Sequence, residues 1–319
     1  MRLFLLLYVP RSGSTLFASL VAKQFSQVLV IPELRLPKLL LLHHVPADRD
    51  YKSALLDLVR RDHQFAALEL SSAEVEQCID RMEAYTAEGF LLQIAEAVAR
   101  KSGLKPEVVL YKCGSAGLHW SELRQRMPAT GLIHIYRDAR AAVNSAMHTE
   151  RPYHPGQRMG RGDPWFQART WNRFVSRMDR FRIAGEPIHE IKYEDLCESP
   201  DRLLRAFASE VGISGSDHEG RGLSVSPSEV KIHRNVGKAA MPERSEAWQH
   251  ELPAWQGMVV EHLTLEQLTR RNYPVFYHAH STAMARVGSL AYGYVYHLVA
   301  TFFFHARRIL IRLSQGRNS

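Results

Sequence analysis

The stretch Phe4-Leu-Leu-Leu-Tyr-Val9, Pro10-Arg-Ser-Gly-Ser-Thr15, Leu16-Phe-Ala-Ser-Leu-Val21 decides how the chain begins to fold. Its first six residues form an apolar run, rich in branched and aromatic side chains, that predicts a buried strand. Pro10 and Gly13 end that run, and the apolar residues after them have helical spacing. The stretch therefore predicts a strand, a tight loop and a helix.

The loop has the composition of an anion-binding site. It offers backbone N–H groups and the hydroxyls of Ser12, Ser14 and Thr15 at the positive end of the predicted helix, with Arg11 beside them. The pattern G-x-x-x-x-G-K-[ST] is absent, because no Lys precedes Ser14 and the first Gly is missing, and G-x-G-x-x-G is absent too. The loop alone leaves two interpretations open, a phosphate-binding loop and an ordinary strand-to-helix turn with a serine cap.

The composition is that of a globular protein with an affinity for anions. The chain has 319 residues, of which 45% are hydrophobic and 23% charged, enough for one large α/β domain or two small ones with a packed core. The formal net charge is +8, so a nucleotide, an acidic peptide, a nucleic acid and an anionic membrane are all compatible ligands.

Cysteine usage and the first residues indicate the compartment. Cys78, Cys113 and Cys197 are an odd number, lie far apart and have no C-x-x-C spacing, so neither a zinc site nor a disulfide framework is predicted. Met1-Arg2 and the apolar run resemble the start of a signal peptide, but no small-residue cleavage site follows and cleavage would destroy the loop. We therefore expect a cytoplasmic protein whose apolar start is a strand.

Strands alternate with helices along the first two thirds of the chain. Four further apolar runs predict strands at residues 28–31, 107–112, 131–136 and 188–193. This alternation predicts an α/β fold with a P-loop-like central parallel sheet flanked by helices. Ligands of such sheets bind beyond the carboxyl ends of the strands. The polar residues that follow the five predicted strands are Arg11, Glu33, Lys112, Arg137 and Tyr193.

The segment from Arg137 to Ser145 places a cation at a strand end and a serine two turns into the next helix. The Arg137 guanidinium offers a fork for a phosphate, and the start of the helix offers N–H donors. Taken alone, Arg137-Asp138 is better explained as a surface ion pair that caps a helix.

Together, Pro10–Thr15 and Arg137–Ser145 resemble the two nucleotide signatures of PAPS-dependent sulfotransferases (PAPS is 3′-phosphoadenosine 5′-phosphosulfate). In that family a P-[RK]-[ST]-G-[ST]-[ST] loop holds the 5′-phosphosulfate and an R-(x)7-S element holds the 3′-phosphate. Tyr193-Glu-Asp-Leu196 and Asn235-Val-Gly-Lys238 look like two later segments of the family, in the family's order. The resemblance implies that PAPS is bound by Arg11, Ser12, Gly13, Ser14, Thr15, Arg137, Ser145, Tyr193, Asn235 and Lys238.

Within the family, the chain is most similar to the tyrosylprotein sulfotransferases of bacterial type. The resemblance implies that Glu33 is the catalytic base and that Arg35, two positions later, meets an acidic substrate. It also implies catalytic roles for Arg11, Lys112 and Ser226. One departure is that the second Arg expected soon after the R-(x)7-S element is Thr149 here, with Arg151 two positions on.

Sulfuryl transfer depends on positioning and on electrostatic stabilisation, as phosphoryl transfer does. We expect Arg11 and Lys112 to neutralise charge on the transferring group and the leaving phosphate, and Ser226 to donate to the bridging oxygen. These cations make a metal unnecessary, and no metal-ligand spacing is present. Glu33 is the expected general base, with His43 or His44 as the alternative, since other sulfotransferases use a histidine.

The basic residues Arg35 and Lys38, with the cations of residues 151–161, are compatible with two interpretations, a binding site for an acidic acceptor and a solvated basic face. A peptide with acidic residues around a tyrosine fits this charge well, and an anionic glycan fits nearly as well. Two other classes compete: a P-loop kinase, disfavoured because the Lys-Ser/Thr step is absent, and a basic nucleic-acid-binding module, supported only by aromatics among the cations of 165–182. We expect no nucleic acid, and a homodimer is compatible with the sequence.

The last forty residues form a separate tail. We expect a sulfotransferase domain at 1–279 and an apolar, basic helical tail at 280–319. The run 287–304 is apolar and aromatic, three arginines follow, and apolar residues within 287–313 trace a helical stripe. We predict an amphipathic helix on the domain, on a partner or on the inner face of a membrane. A membrane span is the alternative.

Overall fold

The computed structural model describes residues 1–43, 50–151, 154–213 and 243–315. The predicted residues His44, Ser226, Asn235 and Lys238 lie outside these ranges.

A five-stranded parallel sheet is the centre of the fold. Its strands are β1 (Arg2–Tyr8), β2 (Val28–Ile31), β3 (Val108–Lys112), β4 (Gly131–Tyr136) and β7 (Ile188–Lys192). They lie in the order β2-β3-β1-β4-β7, and every neighbouring pair is parallel. The predicted α/β class and all five predicted strands are thus confirmed, with bounds that differ by a residue or two.

The sheet is flanked by helices, and ten helices lie among the described residues between β1 and residue 210. In the first part of the chain these are α1 (Ser14–Gln24), α2 (Leu36–Leu42), α3 (Tyr51–Arg61), α4 (Ser72–Asp80), α5 (Ala87–Ser102) and α6 (Trp120–Arg126). They are followed by α7 (Ala139–Met147), α8 (Pro164–Ile183), α9 (Tyr193–Glu198) and α10 (Pro200–Glu210). Short 3-10 turns lie at Phe65–Leu68, Gly114–Leu118 and Met159–Gly162.

Five helices make up most of the described residues 243–315. They are α11 (Glu243–Glu246), α12 (Trp248–Glu251), α13 (Ala254–Arg270), α14 (Tyr277–His280) and α15 (Ala283–Gln315). The predicted C-terminal helix is therefore present, and it is 33 residues long.

Contacts divide the chain into two compact units. Unit 1 consists of Met1–Tyr136 and Arg177–Ala240 and contains the sheet. One face of its sheet packs on α1 and α10, where Phe17 and Phe207 meet edge to face at 5.3 Å. β3 is buried along its whole length, as expected of a strand covered on both faces.

Unit 2 consists of Arg137–Ser176 and Met241–Ser319. Its apolar cluster gathers Trp248, Leu252 and Tyr277 around Ala141 of α7. The buried Arg140 guanidinium lies 4.0 Å above the Trp248 ring.

The segment 151–164 is rich in Gly, Pro and Arg, a composition that predicts a mobile loop, but its described residues form a more regular structure. Its described residues form an antiparallel pair, β5 (Glu150–Arg151) with β6 (His154–Arg158), followed by the 3-10 turn. The Met159 N–H donates to the Thr149 carbonyl at 2.8 Å and closes this hairpin. Gly160 and Gly162 have positive φ angles, so the glycines that suggested disorder instead make a defined turn.

Candidate active site

The loop after β1 is built as an anion cradle. The Ser12 N–H donates to the Val9 carbonyl at 3.2 Å, and both Arg11 (φ +73°) and Gly13 (φ +89°) have left-handed backbone conformations. This path delivers the chain directly into α1, whose first turn has neither a capping side chain nor an acidic residue. The first N–H groups of a helix lack intrahelical partners, so this end of α1 suits a bound anion.

Tyr193 packs directly on the glycine of this loop. A Cβ built on Gly13 would lie 2.1 Å from Cδ2 of Tyr193, a distance that no side chain tolerates. Tyr193 is buried at the start of α9, immediately after the edge strand β7. The structure therefore brings the Pro10–Thr15 loop and the Tyr193–Leu196 segment together. The contact with the Tyr193 ring explains why the loop has glycine at position 13.

Lys112, at the end of β3, contacts both the loop region that follows β1 and the segment that follows β2. It is buried with 1% exposure, and its Nζ donates to Oγ1 of Thr15 at 3.0 Å. Its carbonyl accepts from the Leu34 N–H at 3.3 Å, which ties the segment containing Glu33 to the same strand end. Lys112 is thus hydrogen-bonded to Thr15 and to Leu34, the residue after Glu33, as expected for segments at the carboxyl ends of neighbouring parallel strands.

The Asp62 side chain holds the segment that contains Glu33 in place. No sequence pattern indicates this role of Asp62. Its Oδ2 accepts from the Leu36 N–H at 2.7 Å and its Oδ1 from the Gln64 N–H at 3.0 Å, while the Arg35 N–H also bonds to it. Burial raises the pKa of the Asp62 carboxyl, although these N–H donors oppose the shift. The carboxylate takes the place of an N-cap for α2.

Cys113 is a packing residue and not a nucleophile. Burial, followed by the nearby negative charge of Glu33, raises the pKa of its thiol to about 12. A thiol with that pKa stays protonated at neutral pH and is unreactive. The influence of Glu33 also indicates that its carboxylate lies near the end of β3.

The first turns of α2 carry the predicted acceptor-binding cations. Arg35 is exposed at the start of α2, and Lys38 is half-buried. His119 lies close enough to Lys38 for the lysine's charge, after burial, to lower the pKa of the imidazole. No sequence pattern indicates His119 as a site residue, because it follows a 3-10 turn and not a predicted strand end. His43 is exposed at the other end of α2, where its carbonyl accepts from Arg126.

The second predicted element lies in unit 2. Arg137 is buried with 6% exposure; its carbonyl accepts from Nε1 of Trp171 at 3.0 Å, and its Nη2 donates to the Arg244 carbonyl. Ser145 is half-buried two turns into α7, and its carbonyl accepts from Oγ1 of Thr149 at 2.7 Å. Both residues are therefore held by contacts of their own unit.

The start of α7 is fixed by a buried charge network. Asp138 caps the helix by accepting from the Arg140 N–H at 2.8 Å, and it also pairs with the Arg140 guanidinium at 2.6 Å. Arg140 reaches Glu261 at 2.6 Å, and Glu261 in turn accepts from the N–H groups of Phe276 and His278. Asp138 caps α7, as the alternative interpretation of Arg137-Asp138 expects. Neither residue lies on the surface, however, and Asp138 forms a buried ion pair with Arg140.

Among the described residues, no group of three or more His, Cys, Asp or Glu side chains is arranged to hold a metal ion.

Comparison with known proteins identifies the family. A model described as the sulfotransferase family matches residues 5–217, two thirds of the chain, and the chain belongs to that family. No curated protein sequence matches significantly. The fold is similar to the sulfotransferase domain from the curacin biosynthetic pathway, at 14% identity and TM-score 0.57, over 86% of this chain and 99% of that chain. It is also similar to the sulfotransferase domain from the Synechococcus PCC 7002 olefin synthase, at 18% identity and TM-score 0.51, over 84% and 94% of the two chains.

The residues of unit 1 fit the anionic group that sulfotransferases of this family generally take from PAPS. The Ser12 hydroxyl is fully buried and has no hydrogen-bond partner among the described residues. It lies in a loop that also offers helix N–H groups, beside a buried lysine that already contacts Thr15. A buried polar group without a partner is costly, and an anion oxygen would satisfy it.

Proposed function

We propose that this sulfotransferase takes its sulfuryl group from PAPS and transfers it to an acceptor hydroxyl, with tyrosine in an acidic peptide as the best candidate. The observation that carries the proposal is the linkage through Lys112, whose Nζ contacts Thr15 of the loop and whose carbonyl binds the segment of Glu33. This linkage between the proposed donor loop and the segment of the proposed base supports the proposal. The assignment of roles to individual residues rests on the resemblance to the family.

The proposed donor site combines cations, backbone N–H groups and hydroxyls. Residues 11–15 would bind the 5′-phosphosulfate, Arg137 and Ser145 the 3′-phosphate, and Tyr193, Asn235 and Lys238 other parts of the nucleotide. Arg11 and Lys112 would oppose the negative charge that develops on the leaving phosphate, and Ser226 would donate to the bridging oxygen. Preorganised charges of this kind act strongly in a site from which water is excluded.

Glu33 is the proposed general base, which accepts the proton of the acceptor hydroxyl. A phenol has a pKa of about 10 and an ordinary glutamate about 4.3, so proton transfer needs the cations nearby to stabilise the phenolate as it forms. Replacing Glu33 with alanine should reduce turnover at saturating PAPS at least about a hundredfold. Near-normal turnover would reject Glu33 in favour of His43, His44 or His119, each of which can then be replaced in turn.

The acceptor is proposed from charge. Arg35 is exposed and Lys38 half-buried on the helix that begins just after Glu33, and the whole chain carries a net charge of +8. An acidic peptide would be attracted to such a surface, and an anionic glycan would be as well.

An uncharged small-molecule hydroxyl is the second candidate. A cavity of about 230 Å³ opens between α2, α3, α5 and α6, and its described lining residues are Leu40, Leu55, Met82, Tyr85, Thr86, Ala87, Gln125 and Arg126. The lining is mainly apolar, and Leu40 lies on α2, the helix that begins just after Glu33, which supports an apolar acceptor as the second candidate.

Transfer of radiolabelled sulfate from PAPS to a panel of acceptors tests the proposal. The panel contains an acidic tyrosine peptide, the same peptide with phenylalanine for tyrosine, a glycan and small phenols. Label on the tyrosine peptide alone supports the first candidate, and label on phenols alone supports the second. The absence of label on every acceptor, together with no thermal shift by 3′-phosphoadenosine 5′-phosphate, would reject the donor as well.

The same thermal-shift experiment separates the competing classes. The bisphosphate should stabilise the protein, whereas ATP and an oligonucleotide should not. A nucleic-acid-binding module is disfavoured because Trp171, Phe174 and Phe181 of α8 are buried and have no face available for a base.

We also propose a cytoplasmic location at the inner face of the membrane. The buried, free cysteines Cys78, Cys113 and Cys197 are compatible with a reducing compartment.

A further inference from the structure

The C-terminal helix α15 has two unlike faces. One face contacts its own unit through Ser289, Gly293, Tyr296, His297 and Phe304. The opposite face is apolar and exposed. Its central stripe has residues three or four positions apart, which places them on one side of a helix: Met284, Val287, Ala291, Val295, Leu298 and Phe302.

Specific contacts fix which face of α15 points outward. A Cβ on Gly293 would approach Val259 to 2.6 Å, so the helix backbone lies close against α13. His297 Nδ1 bonds to Oδ2 of the fully buried Asp163, and the Tyr296 hydroxyl donates to the Gly162 carbonyl at 3.2 Å. A rotation of the helix would break all three contacts.

The outward face is unusually apolar for a protein surface. Met284 is 85% exposed, Phe302 69% and Val287 66%. Tyr292, Tyr294, Val299, Phe303 and Ile309 extend the exposed apolar surface. An exposed apolar patch made of many large side chains generally marks an interaction site.

The charge of the segment indicates what covers this face. No Asp or Glu occurs between Ala283 and the end of the chain, whereas Arg286, Arg307, Arg308, Arg312 and Arg317 do. The Arg307 side chain is exposed, three residues after the run of phenylalanines at 302–304. An acid-free helix with an apolar face, aromatic rings and cations near its end is complementary to a membrane surface that contains anionic lipid.

Two other arrangements fit less well. By length and composition Ala283–Arg307 could cross a membrane, and it is the one such helix in the described part of the chain. A crossing would surround the helix with lipid, however, and so break the His297–Asp163 contact and expose the buried Asp163 carboxylate. Pairing with a second copy would bring together two acid-free helices, which offer each other no opposite charge.

We propose that the exposed apolar face of α15 docks the protein on the surface of a bilayer containing anionic lipid, with the helix axis, about 50 Å long, parallel to the membrane plane. The opposite face stays on α13 and holds the enzyme at the surface. This proposal does not depend on the identity of the sulfuryl donor or acceptor.

Flotation of the full chain with vesicles tests the proposal. Vesicles of phosphatidylcholine alone are compared with vesicles that also contain phosphatidylglycerol. The wild-type protein should float with the anionic vesicles, should be released by alkaline carbonate, and should bind less at high salt. The variant Val295→Ser/Leu298→Ser/Phe302→Ser should lower the bound fraction about tenfold or more. Its melting temperature should be unchanged, because all three side chains are exposed.

The matched control is Ile183→Ser, which removes an apolar side chain that is 75% exposed at the end of α8. It should bind vesicles as the wild type does.

Failure of the wild type to float, equal binding by the triple variant, or equal loss in the control would each overturn the proposal. Resistance to carbonate would establish a span instead. A dimer that the triple variant dissociates, without vesicle binding, would establish a second copy as the occupant. The bisphosphate thermal shift reports separately on the donor site.

Discussion

Arg11 combines an unusual backbone conformation with a central chemical role in the proposed site. Its φ of +73° is uncommon for a residue other than glycine, and such strain is typically found at functional sites. The loop geometry thereby holds this cation beside the first turn of α1, where the helix N–H groups already favour an anion.

Replacing Arg11 with alanine should lower sulfuryl transfer by about a hundred- to a thousandfold, because one preorganised charge would be missing in the transition state. The thermal shift by 3′-phosphoadenosine 5′-phosphate should also decrease. Lys23→Ala provides the control, since it removes an exposed cation from the last turn of the same helix. If Arg11→Ala binds and transfers like the wild type, the assignment of residues 10–15 is wrong.

Gly13 is required both by its backbone angle and by Tyr193. Gly13→Ala places a Cβ in the Tyr193 ring at a residue with φ +89°, so the loop must move. Gly185→Ala is a matched control, because Gly185 has a similar φ of +83° but no heavy atom within 4 Å of the added Cβ.

Both alanine variants should lose about 1 kcal/mol of unfolding free energy from the left-handed conformation, measured by urea denaturation. Only Gly13→Ala should also lose binding of the bisphosphate, measured by titration calorimetry. Equal binding by the two variants would show that the contact between Gly13 and Tyr193 has no part in the nucleotide site.

At the scale of elements, the segment between β2 and α2 depends on a residue far from it in sequence. Asp62 at the end of α3 accepts from the Leu36 N–H across 26 positions and so positions the residues from Glu33 to Leu36. Loss of a buried acceptor leaves these donors unsatisfied, which costs about 1–3 kcal/mol.

Asp62→Ala should therefore reduce stability by that amount in urea denaturation. It should also lower kcat more than it raises KM for PAPS, because it displaces the proposed base Glu33 and not the proposed donor loop. Asp57→Ala, an exposed change on the same helix, should affect neither quantity. A variant that is destabilised but has normal kcat would limit Asp62 to a structural role.

The predictability of each element follows from the range of its interactions. The five strands were predicted because strands of a buried parallel sheet are continuous apolar runs, as in Val108–Lys112. The Asp62 cap was missed because its donor and acceptor belong to different helices and share no local pattern. The hairpin after Glu150 was missed because glycines and prolines mark both tight turns and irregular loops. The Arg140–Glu261 pair joins residues 121 positions apart, beyond the reach of any motif.

At the scale of the whole molecule, the net charge of +8 is the property that the sequence states most directly. Exposed charges attract an oppositely charged partner over about 10 Å at moderate salt, and added salt screens this attraction. An acidic acceptor peptide should therefore respond to ionic strength, whereas a neutral phenol should not.

With PAPS held at saturation, raising the salt from about 0.01 M to about 0.5 M should increase KM for an acidic tyrosine peptide about tenfold and leave kcat nearly constant. KM for a neutral phenol should change little over the same range, which makes the phenol an internal control for effects on the donor. Arg35→Gln should reduce the salt dependence for the peptide, because Arg35 is an exposed cation on the helix that follows Glu33. Identical salt responses of the two acceptors would show that salt acts at the donor site, and the assignment of an acidic acceptor would then lose its electrostatic basis.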